Sequence, residues 1–278
     1  MQRERAIYLS ALLVFLIAAA ATISSARMMT AAMPMPGGWT MGMAWMRMPG
    51  QTWLASGSLF AAMWLVMMVA MMLPSSLPML LLYRRIVLFR VEPHPAALVW
   101  LMASAYFLVW TLFGVAAYLA GASLAVGAMR SPGLSRAIPL AAGGSLIVAG
   151  AYQLTPWKSA CLRHCKSPLD MVARLGRGWR GALGLGIHHG LFCTACCWSL
   201  MLMQIVMGVM NLTAMIAVAG VIALEKLLAG GERIARVVGA AAILAGLWIL
   251  YALLHSTAAN CAYEFLFCSF LSPTVAVM

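Results

Sequence analysis

Charge is what this sequence has least of: 9% of its 278 residues are Asp, Glu, Lys or Arg, and only six of those are acidic. A water-facing surface cannot be covered from that supply, which excludes an ordinary soluble globular chain. The shortage of carboxylates also excludes a hard-cation site, because Mg2+ and Ca2+ are held by clusters of oxygen ligands. The chain contains no Walker-type phosphate loop and no polar stretch long enough for a nucleotide-binding domain, so it does not hydrolyse ATP by that route.

What the chain has in abundance is apolar sequence, 64% of all residues. A bilayer core roughly 30 Å thick is crossed by about 20 apolar residues in a helix. Runs of that kind lie at 6–26, 56–82, 96–120, 137–157, 182–208, 212–229 and 234–256. The expected fold is all-α, a polytopic transmembrane helix bundle of about seven spans with its N-terminus cytoplasmic. Segment 1–26 is the first span, 27–55 an outer loop rich in Met, and 56–278 a six-helix membrane domain with a basic, Cys-containing inner loop at 158–181.

The basic residues bear on this independently, since Lys and Arg collect in short cytoplasmic loops. Seven crossings that start inside place Arg3, Arg5, Arg84, Arg85, Arg90, Lys158, Arg163, Lys166, Arg174, Arg177, Arg180, Lys226, Arg233 and Arg236 in the cytoplasm. Only Arg27, Arg47, Arg130 and Arg136 of the 18 fall outside. The formal charge of +12 then follows from topology and calls for no nucleic-acid partner. Lipid is the expected environment, and the cations of 158–180 suit anionic head groups. Ser24-Ser25-Ala26 after the first run offers an alternative as a cleaved signal peptide, but an apolar run of about 18 residues exceeds the usual 7–15.

The outer loop holds Met28, Met29, Met33, Met35, Met41, Met43, Met46 and Met48 among Trp and Pro, and reads as irregular chain near the membrane surface. In the second span Pro74 and Pro78 bracket two serines, which predicts a kink with the freed carbonyls met by Ser75, Ser76 or neighbouring helices. The fourth span carries Gly143, Gly144 and Gly150, small residues that permit close helix approach.

The residues best suited to chemistry are His188-His189-Gly-Leu-Phe-Cys193-Thr-Ala-Cys196-Cys197. At about 100° per residue, His189, Cys193, Cys196, Met203 and Met207 share one stripe about 27 Å long, while His188 and Cys197 fall to either side. Thiolate, thioether and imidazole select soft or borderline ions, Cu(I) first and zinc second. Ordinary packing accounts equally well for Met203 and Met207 taken alone. Cys161-Leu-Arg-His164-Cys165-Lys166 places two further thiols on one helical face, amid cations that favour thiolate but repel a metal. Met63, Met67 and Met71, with Met68 and Met72 beside them, extend the Met bias into the second span. Glu225-Lys226 is either an interfacial pair reaching for water or a functional ionisable group at membrane depth. Cys261 and Cys268 read first as an outer disulfide.

Met67-Met-Val-Ala-Met-Met-Leu-Pro74, Cys161-Leu-x-x-Cys165, Gly190-Leu-x-Cys193-x-x-Cys196-Cys197-Trp198-x-Leu-Met201, Met210-Asn-Leu and Glu225-Lys226 together resemble an uncharacterised bacterial family of predicted metal-binding integral membrane proteins, over about residues 60–230. The resemblance implies a bacterial cytoplasmic membrane and a metal site at the Cys positions. The leading expectation is copper transport, delivery or homeostasis, with metal ligands His188, His189, Cys193, Cys196, Cys197, Cys161, Cys165, Met203 and Met207. The ion would be exchanged with a periplasmic or cytoplasmic metal chaperone, and the chain would be a carrier rather than an enzyme. The alternative is a membrane thiol–disulfide oxidoreductase using quinone, with Cys193/Cys196 as the working pair and Cys161/Cys165 or Cys261/Cys268 as the shuttle. Haem held by His188 or His189 with His255 is a third.

Overall fold

A computed structural model describes residues 2–29, 32–166 and 176–255. The expected Cys261–Cys268 disulfide lies outside these residues. The described chain is α-helical apart from one hairpin. Its elements are α1 (Gln2–Met28), β1 (Ala32–Met35), β2 (Trp39–Gly42), a 3-10 turn (Met43–Trp45), α2 (Trp53–Phe89), α3 (Pro95–Arg130), α4 (Pro132–Leu154), α5 (Pro156–Lys166), α6 (Gly178–Met207), α7 (Leu212–Leu227) and α8 (Gly231–His255).

Local chemistry sets several of the boundaries. Thr52, Ser131 and Asn211 cap α2, α4 and α7 by accepting from the backbone N–H of Ala55, Leu134 and Ala214, which satisfies a helix-start donor that has no intrahelical partner. Pro132 and Pro156 open α4 and α5, at positions where proline's missing N–H costs nothing. Each apolar run named above is matched by a helix. Six described helices are long and apolar enough to cross a membrane, and α7 with 16 residues is shorter.

Three local expectations are corrected. The Met-rich segment is not irregular: β1 and β2 pair antiparallel from Ala32↔Gly42 to Met35↔Trp39. The turn uses Gly37 and Gly38 at positive φ, which glycine adopts without steric cost. Trp39 donates to the Ser135 carbonyl and Ser135 to that of Pro36, tying the hairpin to the start of α4. The segment 158–181 opens as helix rather than loop, since α5 follows α4 after the single residue Thr155. In α2, Ser75 and Ser76 bond the carbonyls of Met72 and Leu73. Those are not the carbonyls of Ala70 and Pro74, which lose their donors to Pro74 and Pro78, because each hydroxyl reaches only three residues back.

Packing follows small residues. α4 and α8 make the most extensive helix contact, along a seam in which Gly150 meets Gly239 and Gly143 meets Gly246. A Cβ on Gly150 would sit 2.5 Å from the Gly239 carbonyl oxygen, and one on Gly246 2.6 Å from that of Gly143. α6 meets α3, α4, α5 and α7. Gly186 and Gly190 carry it against α3: a Cβ on Gly186 would meet the Met102 carbonyl, and one on Gly190 would sit 3.0 Å from the Val109 side chain. The Gly-x-x-x-Gly spacing that permits this approach is present in the sequence. Large apolar side chains such as Leu9, Leu112, Leu119, Leu244 and Leu254 stay exposed on the outer faces.

Candidate metal centre

The central core gathers sulfur. Cys193, Cys196 and Cys197 of α6 are wholly buried in one cluster with Met67, Met68, Met71 and Met72 of α2, Met201 and Met203 of α6, and Met215 of α7. Met207 and Met63 are half-buried against it. Both α2 and α6 therefore turn their soft side chains inward, while Pro74 and Pro78 lie on the exposed side of α2.

The thiols form a chain. Cys193 and Cys197 lie one helical turn apart, close enough to interact. The Cys197 sulfur is 3.5 Å from that of Cys196, and Cys165 of α5 packs against the same cluster, close enough to Cys196 to interact. Cys197, which the angular stripe left to one side, is thus the middle link. The stripe compared residues with a single axis direction, whereas thiols on adjacent positions bridge sideways. Cys161 lies one turn before Cys165 and packs half-buried against the same core. All five described cysteines are free thiols.

At Cys193 the chain meets two polar groups. The Tyr106 hydroxyl of α3 is 3.0 Å from the Cys193 sulfur, and Lys226 of α7 donates to the same sulfur at 2.8 Å. The ring of His189 stacks on Tyr106, centroids 5.2 Å apart, and its buried Nδ1 has no hydrogen-bond partner among the described residues. An imidazole nitrogen with no partner in a sulfur-rich interior is a donor atom free to bind. His188 turns the other way, its Nε2 lying 3.2 Å from Nε2 of His164.

Glu225 and Lys226 do not pair with each other at an interface, as one expectation had it. Glu225 is 0% exposed and bridges Lys158 of α5 at 2.7 Å, with Gln153 donating to its second oxygen at 3.4 Å. Lys158 also donates to the Cys196 carbonyl at 2.6 Å. Two cations expected to serve as loop charges instead face inward: the buried Lys158 holds α5 against α6 and α7, and the half-buried Lys226 lies on Cys193. Lys226 was legible as a charge at membrane depth; its thiol partner, and Tyr106, were not.

Among the described residues no three His, Cys, Asp or Glu side chains converge as a closed metal cage. A tetrahedral structural zinc site needs four such donors around one point. Sulfurs strung in a line suit a low-coordinate soft ion instead, held between neighbouring thiols and thioethers. The donor set fits a soft metal ion by its chemistry, and the Met residues of segment 28–48 divide by exposure: Met35 and Met41 are packed in the hairpin's core, whereas Met28, Met33 and Met48 are exposed.

The family model described as PpoB2: Copper chaperone matches residues 61–249. The matched stretch contains the Met residues of α2 and every described cysteine. No curated protein and no solved structure matches the chain.

Proposed function

The chain belongs to the PpoB2 copper-chaperone family, and from that premise we propose that it is a multi-pass protein of the bacterial cytoplasmic membrane that binds Cu(I) in its interior and passes it across or along the membrane. The observation that carries this is the continuous line of thiols from Cys193 through Cys197 and Cys196 to Cys165, set in a core of buried Met side chains. Ligand exchange between adjacent sulfurs moves a soft ion without releasing it into hydrocarbon, because each new bond forms before the last is lost.

Membrane residence is supported by the six long apolar helices and the large apolar side chains on their outer faces. α7 has 16 residues and a length of about 24 Å, which serves as a seventh, thinner crossing with help from its flanking residues. In this scheme the exposed Met28, Met33 and Met48 collect copper outside. Met207 and Met203 lead inward to Cys197 and Cys196, with Cys193 and His189 deeper on α6, and Cys165 with Cys161 forms the inner terminus. Lys226 keeps a charge beside Cys193 that balances a thiolate.

The test is copper loading of the detergent-purified protein. Wild type takes up Cu(I) stoichiometrically with sulfur ligation by X-ray absorption, and Cys193→Ser/Cys196→Ser loses at least tenfold in affinity. Metal-free wild type carrying a reducible Cys193–Cys196 disulfide would overturn this in favour of the quinone-linked oxidoreductase.

A further inference from the structure

We propose that His164 and His188 form a second, open metal site, separate from the thiol chain, at which copper exchanges with a ligand outside the protein. Their Nε2 atoms face one another at 3.2 Å across the boundary of α5 and α6. Metal–imidazole bonds of about 2.0–2.1 Å at a tetrahedral angle hold two nitrogens about 3.3 Å apart, so the rings are spaced for one ion with little movement. Phe192 lies against both rings, with centroids at 4.0 and 4.7 Å, and the two planes are set at 71°.

Three further features separate this pair from a mere contact of two rings. Both rings are only partly buried, and two protein donors leave coordination positions open, as exchange requires and a closed structural site does not. The cations flanking His164 in sequence are turned elsewhere, Arg163 to Glu232 at 3.0 Å and Lys166 to the Leu228 carbonyl at 2.7 Å. The expected repulsion of a metal by this basic segment is thereby relieved at the rings. Finally, His164 adjoins Cys165, the terminal thiol of the chain, and His188 adjoins His189. Imidazole holds Cu(I) less tightly than thiolate does, so an ion at the pair is the labile one. The exchanging ligand is a soft donor, a thiol or thioether of a soluble carrier.

The proposal rests on the copper function only for the identity of the ion. Its test compares wild type with His164→Gln/His188→Gln in detergent, both loaded with Cu(I) beyond the thiol capacity. Wild type shows more nitrogen ligation than the variant, which keeps the sulfur-bound copper and only the nitrogen that His189 supplies. Removal of that copper by the hydrophilic chelator bathocuproine disulfonate is at least tenfold slower in the variant. Equal removal rates, or nitrogen ligation as strong in the variant as in wild type, overturn the site. If wild type holds no sulfur-bound copper, the thiol function fails on its own. Nitrogen-bound metal that vanishes in the variant still supports the imidazole pair in that case, and its absence sinks both. Should the double variant not fold, His164→Gln alone, on the short helix α5, gives the same readouts.

Discussion

Lys158 and Glu225 meet at 2.7 Å with neither side chain exposed. Removing charges from water costs several kcal/mol per ion, and attraction offsets this only while both partners are present. Lys158→Met alone strands a carboxylate in the interior and is expected to destabilise the protein by about 3–5 kcal/mol, read as a lower unfolding midpoint in detergent. Lys158→Met/Glu225→Met should recover most of that loss, because two thioethers fill similar volume without a charge. A double variant as unstable as the single would show that Lys158 matters for its bond to the Cys196 carbonyl instead. Nothing in the local sequence distinguishes Lys158 from the other cations of its segment. Its partner is 67 residues away, and only the docking of α5 on α7 brings them together.

The α4–α8 and α3–α6 contacts are made by close backbone approach at glycines, a mode of packing that suits helices in lipid. The α4–α8 seam tests this directly. Gly150→Ala and Gly239→Ala each put a methyl group 2.5 to 2.8 Å from a facing carbonyl oxygen, and overpacking of this kind costs typically about 1–3 kcal/mol. Gly144, on the same helix, has nothing within 4 Å of its Cβ position. Gly144→Ala should therefore be neutral or raise the thermal midpoint, since Ala is the better helix former by up to about 1 kcal/mol. Equal destabilisation at all three positions would remove the seam as the explanation. On α6, Gly186 and Gly190 do the same for α3, and that approach is what lets Tyr106 reach Cys193 and His189.

For the whole molecule, the distribution of cations still argues for an even number of crossings between the inner loops, even with Lys158 and Lys226 drawn into the interior. In the proposed topology the other twelve of the fourteen stay on the cytoplasmic side. Reporter fusions placed after Glu92, Gly176 and Gly230 are expected to read cytoplasmic, and those after Thr40 and Ser131 external. A cytoplasmic signal after Thr40 would reverse the orientation, and an external one after Gly230 would mean that α7 does not cross. The same experiment fixes which side bears the His164–His188 pair, and so the side on which copper is exchanged.

The sequence by itself determined the helical class, the position of each long apolar helix and the soft-donor character of the interior, because these follow from composition and from residues within a few turns of each other. It brought Cys193, Cys196 and Cys197 together on α6 for the same reason. Only the tertiary structure decided that Cys197 links the other two, that Cys165 continues the line, that Tyr106 and Lys226 close on Cys193, and that His188 faces His164. It also decided that the Met-rich segment folds as a hairpin packed on α3 and anchored to α4. Each of these depends on which faces of α3, α5, α6 and α7 meet. That choice is set by glycines and buried charges far apart in the chain, and no local pattern records it.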